Sequence, residues 1–238
     1  ISQEKFIEEI QAIVKRKYKG KNMTAGFRSL FLSKITGFLT SKSPLEVTSV
    51  FKNLKRQVKD FGDVFSYEDI LTRQLEKIYY WNELYSTVNK YIKKEDRVDY
   101  KDFKIYPFFF IYEVLIKLVD DYGYDNHYIS KDEFNNFLAV SKNHQEIDKV
   151  MEKIIEFRND SEKYEVEKFL NSKNRIDPRF YKVLRYNKYI RQLKNGIRLQ
   201  SETIDEVREK VEKFRDLINN EKLIMFDEDF PKKYFNLL

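Results

Sequence analysis

The longest apolar pattern in the chain runs from Tyr106 to Leu199, and most of it has helical spacing. Pro107 stands where a helix tolerates a missing N–H, and Phe108, Phe109, Ile111, Tyr112, Val114, Leu115, Leu118 and Val119 follow at that spacing. Gly123 predicts the stop. Ser130-Lys131-Asp132-Glu133 reads as a capping box leading into a stripe of Phe134, Phe137 and Leu138. Ile147, Val150, Met151, Ile154, Ile155 and Phe157 predict a third helix. Phe180, Val183, Leu184 and Tyr186 predict a fourth, from about Pro178 to Tyr189. The period then falls towards two. Asn195-Gly196, between two short runs, predicts a hairpin with a type I′ turn, whose two central residues both need positive φ. Helices closed by one basic hairpin outline a winged helix. The expected fold class is therefore mainly α, with winged-helix-type subdomains and one short β-hairpin wing.

The flanks continue the helical pattern. Gln3 to Lys19 and Phe27 to Leu39 are predicted helices. Ser43-Pro44-Leu45-Glu46 is a capping box whose helix should run to about Lys59, with Val47, Val50, Phe51, Leu54 and Val58 inward. Ser66-Tyr67-Glu68-Asp69 starts another, with Ile70, Leu71, Leu75, Ile78 and Tyr79 inward and a break expected around Trp81 to Ser86. Lys93 to Lys104 alternates and is polar, and reads as a connector or a short exposed strand. Thr203-Ile204-Asp205-Glu206 is a further capping box, and Ile204, Val207, Val211, Phe214 and Ile218 give its helix a seam suited to packing. The expected division is a basic helical subdomain over 1–100, a winged-helix subdomain over 101–200, and a C-terminal helix with a linker or docking tail over 201–238.

Charge adds direction to this picture. The net charge is +6, yet residues 1–60 hold 13 Lys and Arg against 5 Asp and Glu, and residues 171–200 hold 9 against 1. Two concentrated basic regions on an otherwise acidic protein point to a polyanion at chosen surfaces, because clustered cations release counterions from phosphate. The plainer reading is solvated helix faces, and for Lys15 to Lys21 a partly compensated helix dipole. Hydrophobic residues make up 42% of the 238, and none of their runs is long enough to span a membrane. A soluble, cytoplasmic chain is expected. The first residue is Ile1, which reads as a piece cut from a longer protein.

Catalytic chemistry finds few carriers. The absence of cysteine excludes disulfides and thiolate sites. His127 and His144 show no metal-ligand spacing, and a lone histidine in a polar loop reads as a surface residue. Six scattered glycines form no phosphate cradle. Asp99-Tyr100-Lys101 and Asp102-Phe103-Lys104 each give the acid-x-Lys of metal-dependent nucleases, but the second carboxylate needs an adjacent strand, and the flanks read as helix. No catalytic residue, metal ligand or cofactor is assigned, and the segment is expected to be non-catalytic.

Several segments together resemble a family. Asp69 to Leu75 with Trp81 after it, Tyr106-Pro107-Phe108, Ile129 to Glu133, Val150 to Arg158 and the Asn195-Gly196 hairpin occur in the order seen in the DNA-recognition regions of AlwI/BpuJI-like type IIS restriction endonucleases. The resemblance covers roughly residues 66–200. It implies winged-helix subdomains that bind an asymmetric duplex site as a monomer, with a separate PD-(D/E)xK domain cutting at a distance and Mg2+ needed only there. The first 60 residues depart from the pattern by lacking a hairpin.

On this reading the helix before the hairpin enters the major groove and the wing lies on the backbone. Arg179, Lys182, Arg185, Asn187 and Lys188 are its candidates for base contacts, with Asn143, His144 and Gln145 as a second surface. Phosphate candidates are Arg191, Lys194 and Arg198 on the hairpin, Lys142, and Lys173 and Arg175 on the approach. Flanking duplex would meet Lys15, Arg16, Lys17, Lys19, Lys21, Arg28, Lys52, Lys55 and Arg56. Two rivals stand beside this: a transcription or replication regulator that dimerises through the Ile204 to Ile218 seam, and a protein-interaction module whose charges are only surface.

Overall fold

The computed structural model describes residues 33, 36–39, 46–61, 64–78, 105–160 and 179–219, with the side chains of 57–61, 64–67, 179 and 217–219 outside that description. The expected helix over 3–19, the break at 81–86, the acid-x-Lys pair and the tail after 219 lie outside the described residues. In chain order the helices are α1 Ser49–Phe61, α2 Val64–Glu76, α3 Pro107–Tyr122, α4 Lys131–Glu133, α5 Ile147–Asn159, α6 Arg179–Val183 and α7 Ile204–Asn219. The strands are β1 Ile129–Ser130, β2 Ile190–Gln192 and β3 Gly196–Leu199.

Helix α3 is the centre, because it is apolar nearly all round and so needs cover on every side. Phe108, Tyr112, Val114, Leu115 and Leu118 are fully buried, each contributing about 1.5–3 kcal/mol through lost apolar exposure. It ends at Gly123, whose φ of 77° and N–H to the Val119 carbonyl close the last turn. Helix α7 runs antiparallel along it: Phe214 stacks on Phe109 with centroids 4.1 Å apart, Arg215 reaches Glu113, and Arg208 grips Asp120 with two bonds of 2.7 and 2.9 Å. The seam of Val207, Val211 and Phe214 is therefore spent inside the fold, which removes it as a dimer interface. Helix α2 covers another side. The core is one cluster from Phe38 and Val50 through α3 to Val211.

The strands form an antiparallel sheet in the order β1-β3-β2. The capping box before α4 is present, with the Ser130 N–H donating to Glu133 Oε2 at 2.6 Å and the Glu133 N–H donating to Ser130 Oγ at 3.1 Å. Helix α4 passes at once into a π-helical turn, Phe134–Leu138, that buries Phe134, Phe137 and Leu138.

Several expectations shift. Helix α1 begins at Ser49, not at Pro44, because Thr48 is the residue able to cap: its hydroxyl donates to the Gly37 carbonyl at 2.5 Å and accepts from the Phe51 N–H at 3.5 Å. Val47, expected inward, instead bridges to Leu39 and is exposed. The helix expected to reach Leu39 stops earlier, since Thr36 to Phe38 turn around Gly37 at a φ of 72°. Helix α2 starts at Val64, ahead of Ser66. The capping box at Thr203 does not close. The Thr203 hydroxyl donates to the Gln200 carbonyl, and Glu206 instead accepts from the Tyr189 hydroxyl. The helix expected as far as Tyr189 is α6 plus a 3₁₀ turn, Leu184–Tyr186, after which Asn187 is extended.

The hairpin forms, but its turn is displaced. Leu193 N–H donates to the Gly196 carbonyl at 2.8 Å, so Lys194 and Asn195 make the loop and Gly196 belongs to β3. Among the described residues, Gly37 and Gly123 are the glycines at positive φ. Gly196 is needed for a different reason: a Cβ there would sit 2.5 Å from the Ile129 carbonyl oxygen of β1. His127, expected on the surface, is 1% exposed and lies against the carbonyls of Tyr124 and Leu199.

Candidate nucleic-acid interface

The hairpin sorts its side chains by alternation. Ile190, Ile197 and Leu199 enter the core, so Arg191 and Arg198, which are register partners across β2 and β3, share the opposite face. Like charges directly across an antiparallel pair repel. Arg198 lies with its guanidinium 5.8 Å from the Tyr124 ring centroid, and its Nε is buried without a hydrogen-bond partner. Arg191 and Lys194 are exposed. Glu202 has its carboxyl held below the ordinary range, first by its own backbone N–H, then by Ser201, and also by Arg191.

The segment before the hairpin adds Lys182 and Arg185, both exposed and three residues apart, which puts them on one face of a helical turn. Arg185 donates to the Tyr186 hydroxyl at 2.6 Å and lies 4.7 Å from that ring's centroid. The Arg179 side chain, and Lys173 and Arg175, lie outside the described residues. So do Lys15, Arg16, Lys17, Lys19, Lys21 and Arg28.

Two neighbours in this segment turn away. Asn187 is 2% exposed: its amide donates to the Tyr112 hydroxyl at 2.5 Å and its Oδ1 accepts from the Tyr189 N–H at 3.0 Å, leaving it no free edge for adenine. Lys188 is held by Asp69 at 2.7 Å and Glu206 at 3.5 Å. Burial alone would lower its pKa, but these two carboxylates outweigh it and raise the value. Both belong to a polar network in which Tyr112 donates to Glu76 and Glu76 also accepts from Lys210 at 2.9 Å. The network fixes the turn from α6 into β2 against α2, α3 and α7.

Two of the three residues of the second surface expected for base reading, Asn143 and His144, also have structural roles. Asn143 caps the 3₁₀ turn His144–Glu146 by accepting from the Gln145 N–H at 3.0 Å. The His144 Nε2 accepts from the Tyr106 N–H at 3.0 Å and the ring packs against Phe110 and Phe214, so burial pushes its pKa down to about 4. Gln145 is exposed and Lys142 half-buried. The outer side of α5 beyond them is mixed in charge, with Asp148, Glu152 and Glu156 beside Lys149 and Lys153, so it offers no concentrated positive face to phosphate. Lys52, Lys55 and Arg56 are exposed on α1.

Beside the hairpin tip lies an open cleft of about 860 Å³ walled by Tyr122, Tyr128, Asn126, Lys131, Arg158 and Asn195. Arg158 anchors it: its Nε donates to Glu133 Oε1 at 2.6 Å, and its other nitrogens reach the carbonyls of Tyr128 and Asn126. The sequence reading had marked Lys131 in the capping box, Asn195 at the hairpin turn and Arg158 in the Val150 to Arg158 segment, but it gave Tyr122, Asn126 and Tyr128 no role. The available signal was the density of tyrosine around Gly123, which no helical or strand period organises.

The model of the AlwI restriction endonuclease family matches residues 74–217, more than half of the chain. The chain belongs to that family. The matched segment of this AlwI-family chain contains α6, the hairpin and the cleft, while Lys52, Lys55 and Arg56 fall before it. The chain is also similar in structure to the BpuJ1 endonuclease binding domain, solved in complex with pyrene- and phenanthrene-modified DNA, at 13% identity and a TM-score of 0.49 over 89% of this chain and 74% of that one. No curated protein matches it. Among the described residues no helix is long and apolar enough to cross a membrane, and no three His, Asp or Glu side chains converge as a metal site.

Proposed function

We propose that this AlwI-family chain binds double-stranded DNA in a sequence-selective way, as the recognition region of a type IIS-like endonuclease. The sheet, α6 and the hairpin act as a winged helix. Lys182 and Arg185 turn toward base edges in the major groove, and Arg191, Lys194 and Arg198 lie on the backbone. Cleavage falls to a separate metal-dependent domain, and no step assigned to these residues runs through a metal ion.

One observation carries the reading. Several of the described cations are already paired. Lys117, Arg158, Lys188, Arg208, Lys210, Lys213 and Arg215 each make an ion pair with a carboxylate. Among the described residues Lys182, Arg185, Arg191, Lys194 and Arg198 make none; Lys52, Lys55, Arg56, Arg73, Lys131, Lys149 and Lys153 also make none, but the first five fall together on α6, the 3₁₀ turn after it and the hairpin. The fold leaves this contiguous group open to an external anion, with no carboxylate of the described residues paired to it. Membership of a restriction endonuclease family supports DNA as that anion.

The test is selection of bound duplexes from a random pool, followed by affinities for the selected and scrambled sequences at two salt concentrations. A selected site should bind at least about a thousandfold more tightly than scrambled duplex. Equal affinity for both would remove sequence reading and leave only charge.

A further inference from the structure

The cleft beside the hairpin tip has no part in the contacts proposed above, and its walls suit one component of a nucleic acid. Tyr122 and Tyr128 are 39% and 43% exposed, more than any other described tyrosine, and the Arg158 guanidinium lies 5.1 Å from the Tyr128 ring centroid, over one face of the ring, leaving the other to a ligand. Their charged neighbours cancel, Lys131 and Arg158 standing against Asp132 and Glu133, with Arg158 and Glu133 already paired. A phosphate seat would be net positive. A charge-balanced cleft with ring walls and side-chain amides suits a nucleobase, whose faces stack and whose edge both donates and accepts. The Asn195 amide makes no hydrogen bond to the described residues. Asn126 uses its Nδ2 on the Tyr122 carbonyl at 3.3 Å, and its Oδ1 accepts from none of them.

Register supplies the link to the hairpin. β1 pairs with β3 through Ile129 and Ile197, so Tyr128, one residue earlier, falls opposite Arg198 and shares the face of the two arginines. A strand whose phosphates lie on Arg198 and Lys194 would bring its next base to the cleft mouth. A volume of about 860 Å³ accommodates a nucleotide.

We infer that this cleft seats one unpaired nucleobase of a DNA strand lying on the hairpin, with Tyr122 and Tyr128 stacking on it and Asn126 and Asn195 meeting its edge. The inference rests on the DNA-binding reading above and adds a contact that duplex alone does not fill. Arg158 is a positioning residue here, holding the Tyr124 to Tyr128 turn against α4.

The experiment uses the full chain and a duplex from the selected pool, blunt or carrying a three-nucleotide single-stranded extension with 2-aminopurine. A second arm places the 2-aminopurine inside the duplex, opposite an abasic site. An unpaired base should tighten binding by about tenfold over blunt duplex and quench the 2-aminopurine on stacking. The arm showing both effects identifies whether the base comes from an end or from within. Tyr128→Ala should abolish the gain while leaving blunt affinity within about twofold, and Tyr128→Phe should keep it. Tyr122→Ala provides the same readout on a second wall. Equal affinity and unchanged fluorescence in both arms, with blunt duplex still bound, would overturn the base seat and leave the DNA-binding reading intact. A gain that survives both alanine variants would also overturn it. Binding to none of the duplexes would overturn both.

Discussion

Acidification tests whether His144 is a core acceptor or a reader of bases. Its ring nitrogen accepts the Tyr106 N–H, and burial lowers its pKa from 6.5 to about 4. Between those two values the unfolded chain holds a proton that the folded chain refuses. The contribution is therefore complete above pH 6.5, falls as pH drops below it, and levels off near pH 4. At pH 5 the linkage integral gives a loss of about 2 kcal/mol relative to pH 7.5. Carboxylates also titrate in this range, so the informative quantity is a difference between proteins. His144→Phe removes the titrating ring and leaves the Tyr106 N–H unpaired, costing about 1–3 kcal/mol at every pH. Urea denaturation of both proteins at pH 7.5 and pH 5 should then give a steeper pH loss for the wild type by about 2 kcal/mol. Equal pH slopes would refute a buried neutral imidazole. The preference among selected duplexes at pH 7.5 should be unchanged in the variant, and loss of discrimination at one base pair would return His144 to the reading surface.

Other substitutions probe the sheet and its charges. Gly196→Ala should destabilise by about 3 kcal/mol or more in a thermal melt, since its Cβ meets backbone rather than a side chain that can move, and a cost under about 0.5 kcal/mol would refute the close approach of β1 and β3. Arg158→Ala strands a Glu133 carboxylate that is 2% exposed and should cost about 3–5 kcal/mol, with Glu133→Gln in the same background restoring part of it; no restoration would mean that Arg158 acts by packing. Arg185→Ala should lose about 1–3 kcal/mol of binding and relax discrimination at one position, whereas Lys194→Ala should weaken all duplexes alike and lower the salt slope by about one. Identical effects of the two on scrambled and selected duplex would place both on phosphate.

How much was legible follows from where the determinants sit in the chain. α3, the Ser130–Glu133 capping box and α5 depend on residues within one or two turns of each other, and each was readable from spacing. The hairpin was legible as a change of period, but its turn was not. Asn195-Gly196 satisfies a local rule for type I′, while the constraint that wins comes from Ile129, far away in the chain. The same holds for the site. Lys182, Arg185, Arg191, Lys194 and Arg198 looked no different in sequence from Lys188, whose carboxylate partners come from α2 and α7. Asn187 was read as solvent-facing because a continuous helix to Tyr189 would have exposed it. The chain leaves the helix at Tyr186, and that swings the amide onto Tyr112. Val47 failed for a related reason, since Thr48 was a better cap than Ser43 once Gly37 supplied a carbonyl.

The pair Arg191 and Arg198 implies a conflict between stability and binding that one substitution can expose. Two guanidinium groups in register on one face repel in the free protein, and the buried Arg198 Nε adds an unpaired donor. The repulsion lapses when an anion lies across the strands, whereas the buried Nε stays out of its reach, so the isolated fold is less stable than its packing allows. Arg191→Glu turns the repulsion into an opposite-charge cross-strand pair, worth about 0.2–1 kcal/mol in place of a penalty of similar size, which exceeds the weak attraction to the exposed Glu202 that it gives up. The variant should therefore melt higher than the wild type at low salt, with the gap closing as salt screens both interactions. The same change removes one phosphate contact and adds a repelling carboxylate, so duplex affinity should fall and the salt slope should drop by at least about one. A stabilised variant with weakened binding is the signature of charge placed for a ligand. If Arg191→Glu melted lower and bound DNA unchanged, the two arginines would be serving the sheet and not a polyanion, and the proposal that the hairpin is a wing would fall.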